Sequence, residues 1–383
     1  MKKITTWAFG FIISLAAITT LQATSTFFLN TKNERVLGFN MDTPFNSYQD
    51  NIFVNVKDQK KTAYMPWENK PLHWVSKYNS VTQSPFSINF PLTGMNEKGL
   101  CIGETTLRET EYPKKDSRPA IGTFQWIQYQ LDTAATVKEV IQSISKVRIA
   151  QNGFANMFIV ADKEGNSAVI EFIKGKPIIF TGKTLPIPVI TNREYGSSLK
   201  QLIDFELKSR KENLAENLIN LYKIEYPYSV GYTRFIIATN LIKEYQTGKI
   251  NEPIKNYTFF ALSLIMQSSS KWSIIYNPVK MSISYKFRHN PEIRTFHFND
   301  FKFSQNQMIY MDHKFKNINE ITKDFTVSRN NEIIAKMAPQ LKQVYKGLFT
   351  KTKQIEKNPM EAFNTFTKGL PEYIKNEYAK NNK

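Results

Sequence analysis

The sequence has little of what most enzyme sites are built from. One cysteine, Cys101, occurs in 383 residues, which excludes an internal disulfide and a cysteine metal site. The histidines are His73, His289, His297 and His313. None has metal-ligand spacing to another, and surface or packed histidines are the simpler reading, so no metal site is expected. No G-x-S-x-G elbow, P-loop or G-x-G-x-x-G is present, and a Ser/His/Asp hydrolase cannot be assembled from local signals. Glycine and proline are sparse, at 15 and 17, so the chain is neither fibrous nor of low complexity. Beyond the first residues no apolar run is long enough to span a bilayer. Acidic side chains are also short: 33 against 51 basic ones, a formal charge of +18.

That charge suits a polyanion such as nucleic acid, anionic lipid or an acidic polysaccharide. Yet there is no long basic run and no nucleic-acid motif, so lysines scattered over a solvated surface are the simpler reading and nucleic acid is not expected as a partner. A protein that binds polyanions or a membrane surface through this charge stays open as an alternative.

What is present begins at the start of the chain. Lys2 and Lys3 form a positive segment, Trp7 to Ala17 is an apolar run of eleven residues, and Leu21-Gln22-Ala23 ends on a small residue. This is the pattern of a secretory signal peptide over residues 1–23, and it predicts an exported protein, periplasmic or secreted, in a bacterium. Removal of Lys2 and Lys3 leaves 49 basic and 33 acidic side chains, or +16.

Periodicity predicts strands at 26–29, 35–39, 100–107, 156–161, 167–173, 177–181, 272–276, 282–287 and 293–298. It predicts helices at 124–131, from Thr136 with Glu139 three residues on as a capping box, and over 197–222, 233–245 and 257–266, with a mostly helical last seventy residues. Runs of strands separated by runs of helices indicate an α+β protein with antiparallel sheets covered by helices.

Cys101 lies in an apolar strand-like run and reads as a buried, inert thiol better than as a nucleophile. A site without histidine or cysteine is available at Thr24. If export exposes it, its own α-amine, with an unperturbed pKa of about 8, can act as the base.

Further blocks then become legible together. They are Ala23-Thr24-Ser25-Thr26-Phe27, Gly38-Phe39-Asn40-Met41-Asp42, Trp74 to Thr82, Gly94 to Leu100, Tyr112-Pro113, Gln128 to Asp132, Val189 to Asn192, Thr233-Arg234-Phe235, Trp272 to Asn277 and Pro291 to Arg294. In this order they resemble the choloylglycine hydrolase and penicillin V acylase family, over residues 24–305. The resemblance implies an N-terminal-nucleophile (Ntn) hydrolase, a four-layer αββα sandwich, as a domain at 24–310; the pattern at the start of the chain sets a signal peptide before it at 1–23, and the helical pattern at the end sets a helical C-terminal extension at 311–383. It implies no cofactor, a small N-acyl amide as substrate, and allows a homotetramer. By matching positions it implies that Thr24 is the nucleophile, Asp42 holds the α-amine, Asn96 lends its backbone N–H and Asn192 its side-chain amide to an oxyanion hole, and Arg234 organises the polar network. Met41, with Phe39 nearby, would line the substrate pocket.

Two positions depart from the pattern. The family's cysteine is Thr24 here, and its arginine in Gly-Arg-Asn-x-Asp is Phe39. A cation beside the nucleophile favours a thiolate, so losing thiol and arginine together is chemically coherent. The pair leaves two readings open: an amidase using threonine, or an inactive relative that binds an apolar acyl ligand.

Overall fold

The first described residues fold as a hairpin around which the rest is assembled. Ser25–Asn30 pairs antiparallel with Arg35–Asp42, Ser25 opposite Asn40 and Asn30 opposite Arg35. The turn is closed by Thr31, whose N–H and hydroxyl both donate to the Glu34 carbonyl, at 2.9 and 2.8 Å. The structure, a computed structural model, describes residues 24–42, 51–150, 154–209, 231–311, 322–349 and 359–381. The expected signal peptide and the second half of the expected 197–222 helix lie outside them.

The hairpin belongs to a six-stranded sheet in the order Val189–Ile190, Ser25–Asn30, Arg35–Asp42, Ser270–Asn277, Ser282–Phe287 and Arg294–His297. A nine-stranded sheet runs Lys176–Thr181, Ser167–Ile173, Asn156–Ala161, Cys101–Thr106, Thr93–Asn96, Ser80–Ser84, Asn51–Asn55, Gln307–Tyr310 and Thr322–Asp324. Neighbouring strands within both sheets are antiparallel.

Alternation along a strand sends side chains to opposite faces. Met157, Ile159 and Ala161 join Phe39 and Ile274 in one apolar cluster, while Phe158 and Val160 join Trp126 and Ile127 in another. The first cluster fills the space between the sheets. The second lies under the helices Thr123–Thr133 and Val137–Ser143, with the Trp126 and Phe158 rings 4.5 Å apart. Helices Gly231–Gln246 and Ile254–Leu264 cover the outer face of the six-stranded sheet, where Asn40 Nδ2 donates to the Leu262 carbonyl at 2.9 Å. The sheets meet closely at Gly103: a Cβ there would lie 2.7 Å from Thr26 Cγ2. The result is the expected α+β, αββα layering.

Thr136 caps its helix, its hydroxyl accepting the Glu139 N–H at 3.3 Å, but Glu139 reaches back to the N–H of Ala135, not Thr136. Helices Val327–Phe349 and Pro359–Asn381 pack on each other, the second also on the strand Lys60–Thr62. Asn330 Oδ1 accepts from Ser87 Oγ at 2.9 Å and Ile88 N–H at 3.1 Å, and Tyr373 donates to the Thr62 carbonyl at 2.7 Å. Among the described residues no helix is long and apolar enough to cross a membrane.

Candidate active site

Four chain segments meet where the hairpin begins. Thr24 lies just before the first strand and is 3% exposed. Asn192 follows the short edge strand that pairs with that strand. Arg234 comes from the first turn of Gly231–Gln246 and is buried. Thr105 and Thr106 end the strand Cys101–Thr106 of the opposing sheet.

Their hydrogen bonds close a ring. Arg234 Nη2 donates to Asn192 Oδ1 at 2.7 Å, and Arg234 Nη1 donates to the Thr24 carbonyl at 3.3 Å and to Ser25 Oγ. The Thr105 hydroxyl donates to the same Thr24 carbonyl at 2.8 Å and accepts from Asn192 Nδ2 at 3.0 Å. Asn192 Nδ2 also donates to the Thr106 carbonyl at 2.9 Å. A guanidinium can only donate, so Arg234 fixes the orientation of the Asn192 amide: oxygen towards the arginine, nitrogen towards the opposing strand. Burial lowers the Arg234 pKa to about 10, opposed by Asp42 and reinforced by Arg193. Arg193 itself stacks over the Tyr232 ring, 5.2 Å from its centroid.

Asp42 ends the second strand, opposite Ser270. Since Ser25 faces Asn40 in the antiparallel register, Asp42 lies just beyond that pair, on the side of Thr24. Its Oδ1 accepts from the Ser270 hydroxyl, while its Oδ2 has no hydrogen-bond partner among the described residues. Burial raises the Asp42 pKa to about 7 against the pull of Arg234, the Ser270 hydrogen bond and Arg288. A buried carboxylate with one empty oxygen is costly unless a donor fills it.

The structure thus brings Thr24, Asp42, Asn192 and Arg234 together. It does not bring Asn96. The backbone N–H of Asn96 donates to the Leu100 carbonyl at 3.0 Å, its Oδ1 accepts from the N–H of Lys98 and of Leu100, and its Nδ2 donates to the Leu131 and Ala134 carbonyls. Asn96 therefore builds the hairpin turn, which Gly99 completes at φ +79°. From Leu100 to Thr105 the strand climbs roughly 16 Å at about 3.3 Å per residue, so the turn lies at the wrong end. The expected oxyanion role of Asn96 is withdrawn.

Phe39 and Met41 also differ from expectation. Phe39 is fully buried, stacked on Trp272 with centroids 6.1 Å apart and facing Thr26 and Gly103. It packs the two sheets together and has no surface to offer a ligand. Met41 pairs with Trp272 in the same core and is 2% exposed. Cys101 is fully buried within the nine-stranded sheet, its Sγ facing the Gly99 carbonyl at 3.9 Å, and burial pushes its thiol pKa well up. A thiol so held is a poor nucleophile.

Thr105 and Thr106 were missed. Their signal was available: after the apolar Leu100-Cys101-Ile102 the same strand turns polar at Glu104-Thr105-Thr106. A polar end on a buried strand calls for partners.

Comparison with known proteins places this geometry. The family model described as linear amide C–N hydrolases, choloylglycine hydrolase family, matches residues 23–224. The penicillin V acylase of Pectobacterium atrosepticum is 34% identical over 132 residues, covering 30% of this chain and 35% of that protein. The match thus spans about a third of that relative's length. Among solved structures, penicillin V acylase from Agrobacterium tumefaciens superposes with a TM-score of 0.65 at 20% identity, over 79% of this chain and 98% of that one. A mutant of the conjugated bile acid hydrolase of Clostridium perfringens gives 0.63 at 17%, over 77% and 100%. The fold is that of these Ntn hydrolases, and with more than half of its length matched by the family model the chain belongs to the choloylglycine hydrolase family of linear amide C–N hydrolases.

Proposed function

We propose that this protein is an exported amidase, freed by cleavage after Ala23, that hydrolyses the C–N bond of an N-acylated small molecule with Thr24 as its N-terminal nucleophile. The observation that carries the reading is the empty oxygen of Asp42, buried just beyond the Ser25–Asn40 pair on the side of Thr24. Cleavage creates an α-ammonium at Thr24, a donor of the right charge at that place. Its arrival lowers the Asp42 pKa by ion pairing.

In the neutral amine form Thr24 carries its own base. Its Oγ attacks the acyl carbon as the amine takes the hydroxyl proton. The substrate oxygen becomes an oxyanion, and the Asn192 amide is the nearby donor suited to it; one such donor is typically worth about 3 kcal/mol of barrier. Collapse expels the amine, which leaves with the proton held by the α-ammonium. Water, deprotonated by the same amine, then releases the acid and regenerates Thr24. Penicillin V and conjugated bile acids, the compounds named for the relatives, are both acylated amines, which sets the substrate class to test.

Intact-mass measurement of the exported protein should give a chain beginning at Thr24, and amine release from a panel of N-acyl substrates should be lost in Thr24→Ala. A chain that begins elsewhere or keeps residues 1–23 sinks the mechanism. The Phe39–Trp272 stack favours a second reading, a binding protein without turnover, because the position matching the family's arginine holds a core aromatic. Saturable acyl-ligand binding with no amine release would select it.

A further inference from the structure

We infer that Thr105 is a positioning residue of the amidase site: its hydroxyl joins the main chain of the nucleophile residue to the oxyanion donor and holds both in register. The inference rests on the reading of Thr24 as nucleophile. It goes beyond it, because nothing in the family pattern marks this residue.

The hydroxyl has one proton and donates it to the Thr24 carbonyl at 2.8 Å. That leaves its lone pairs to accept from Asn192 Nδ2 at 3.0 Å. Two groups that flank strands of the six-stranded sheet are thereby tied to one atom of the nine-stranded sheet. Arg234 makes the corresponding tie from the helix side, to the same carbonyl at 3.3 Å and to Asn192 Oδ1 at 2.7 Å. The four groups form a closed ring in which each hydrogen bond fixes the next. Thr105 is fully buried, and Thr24 and Arg234 are 3% and 1% exposed, so water cannot substitute for a missing hydroxyl without entering the core.

The consequence concerns geometry, not charge. Nucleophile and oxyanion donor come from different loops, and their separation must match a tetrahedral acyl centre. Arg234 holds the Asn192 Oδ1, and the Thr106 carbonyl holds one hydrogen of Nδ2. The bond to Thr105 engages the other hydrogen and ties it to the atom that also holds the Thr24 carbonyl. Both hydrogens of Asn192 Nδ2 have an acceptor at rest, Thr105 Oγ1 and the Thr106 carbonyl. The amide therefore stays fixed at the strand end, and a substrate oxygen has to share one of these two hydrogens, at a preset place. Rigid placement of a donor is worth more than its mere presence.

The test uses mature protein in three forms: wild type, Thr105→Val and Thr105→Ser. Valine keeps the shape and removes the hydroxyl; serine keeps the hydroxyl. For a positioning role, kcat falls at least about tenfold in the valine form while KM stays within about twofold, and the serine form recovers most of the loss. An unchanged or increased kcat in Thr105→Val overturns the inference; an increase would mean that the bond only withholds the Asn192 amide from substrate. A second readout needs no turnover. With 15N-labelled asparagine and Asn192→Asp to identify the signal, the Asn192 side-chain amide should exchange slowly in wild type and serine forms and faster in Thr105→Val. Equal exchange in all three overturns the ring. A wild type that releases no amine from any substrate counts against the proposed activity, while the exchange measurement still decides the ring.

Discussion

Thr24 and Phe39 look, in the sequence, like two halves of one chemical change, since an arginine beside a thiol stabilises a thiolate and a hydroxyl has no such need. The structure separates them. Thr24 stands among Arg234, Asn192 and Thr105, whereas Phe39 fills the gap between the sheets against Trp272. Thr24→Cys alone should therefore raise amine release, because a thiol is the better nucleophile and nothing around Thr24 need move. Adding Phe39→Arg buries a charge among Trp272, Thr26 and Gly103 and should lower stability by several kcal/mol, about 3 or more. Melting curves and amine release from both single variants and the double variant check this. A double variant as stable as wild type and faster than Thr24→Cys would restore the coupled reading. Thr24, Asp42, Asn192 and Arg234, which the structure brings together, were legible through ordered motifs. Asn96 was misplaced because a motif fixes position along the chain and not which end of a hairpin faces the site. Cys101→Ser should leave any hydrolysis intact, and a large loss with the fold preserved would contradict its burial.

Elements were read well where a period was sustained. The strands Asn156–Ala161 and Ser167–Ile173 match their predicted limits because short turns at Lys163–Asn166 and Lys174–Lys176 bound them. The strand Ser80–Ser84 of the nine-stranded sheet went unread, and the reading of residues 24–60 as short strands gave Asn51–Asn55 no limits of its own. Both are buried on each face and carry polar residues, Asn51, Asn55, Ser80, Gln83 and Ser84, whose tertiary partners break the alternation that marks a strand. Gly103 shows what sequence alone could not: a glycine inside a strand weakens it unless something approaches closely. Here the approach is the facing hairpin, with Thr26 Cγ2 2.7 Å from where a Cβ would stand. Gly103→Ala should thus destabilise the protein by about 1–3 kcal/mol through overpacking, and it should also disturb turnover, since Thr105 follows two residues on. Denaturant melts measure the first effect. An alanine variant of unchanged stability would show that the sheets separate more easily than this contact implies.

Across the whole molecule, burial of acids sets a pH dependence that the excess of lysine hides. Burial raises the Glu104 pKa to about 8, and its carboxylate accepts from Asn156 Nδ2 at 2.5 Å. Glu171 is raised to about 7, by burial first, against the hydrogen bond from the Tyr195 N–H. Asp42 is also raised to about 7 while its Oδ2 lacks a donor. A carboxyl whose pKa is higher folded than unfolded binds more protons in the native state between the two values, so stability falls as pH rises across that interval. For Glu104 the interval runs from 4.5 to about 8. Asp116 is shifted the other way, to about 2 by its hydrogen bonds with Arg118, and is ionised in both states over this range. The formal charge of +18 adds self-repulsion, but ordinary surface carboxylates finish ionising near pH 5.5, about one unit above their usual pKa. Between there and pH 8 the buried acids therefore stand out. The melting temperature should decline over that window, and Glu104→Gln, which keeps an acceptor for Asn156, should flatten the decline. Removal of residues 1–23 should flatten it further, because the new ammonium at Thr24 holds Asp42 ionised in the native state and takes its share of the slope away. Scanning calorimetry of full-length and mature chains, each with and without Glu104→Gln, separates the two contributions. A full-length protein whose stability rises through the window would mean that these carboxyls find cations the described residues do not supply.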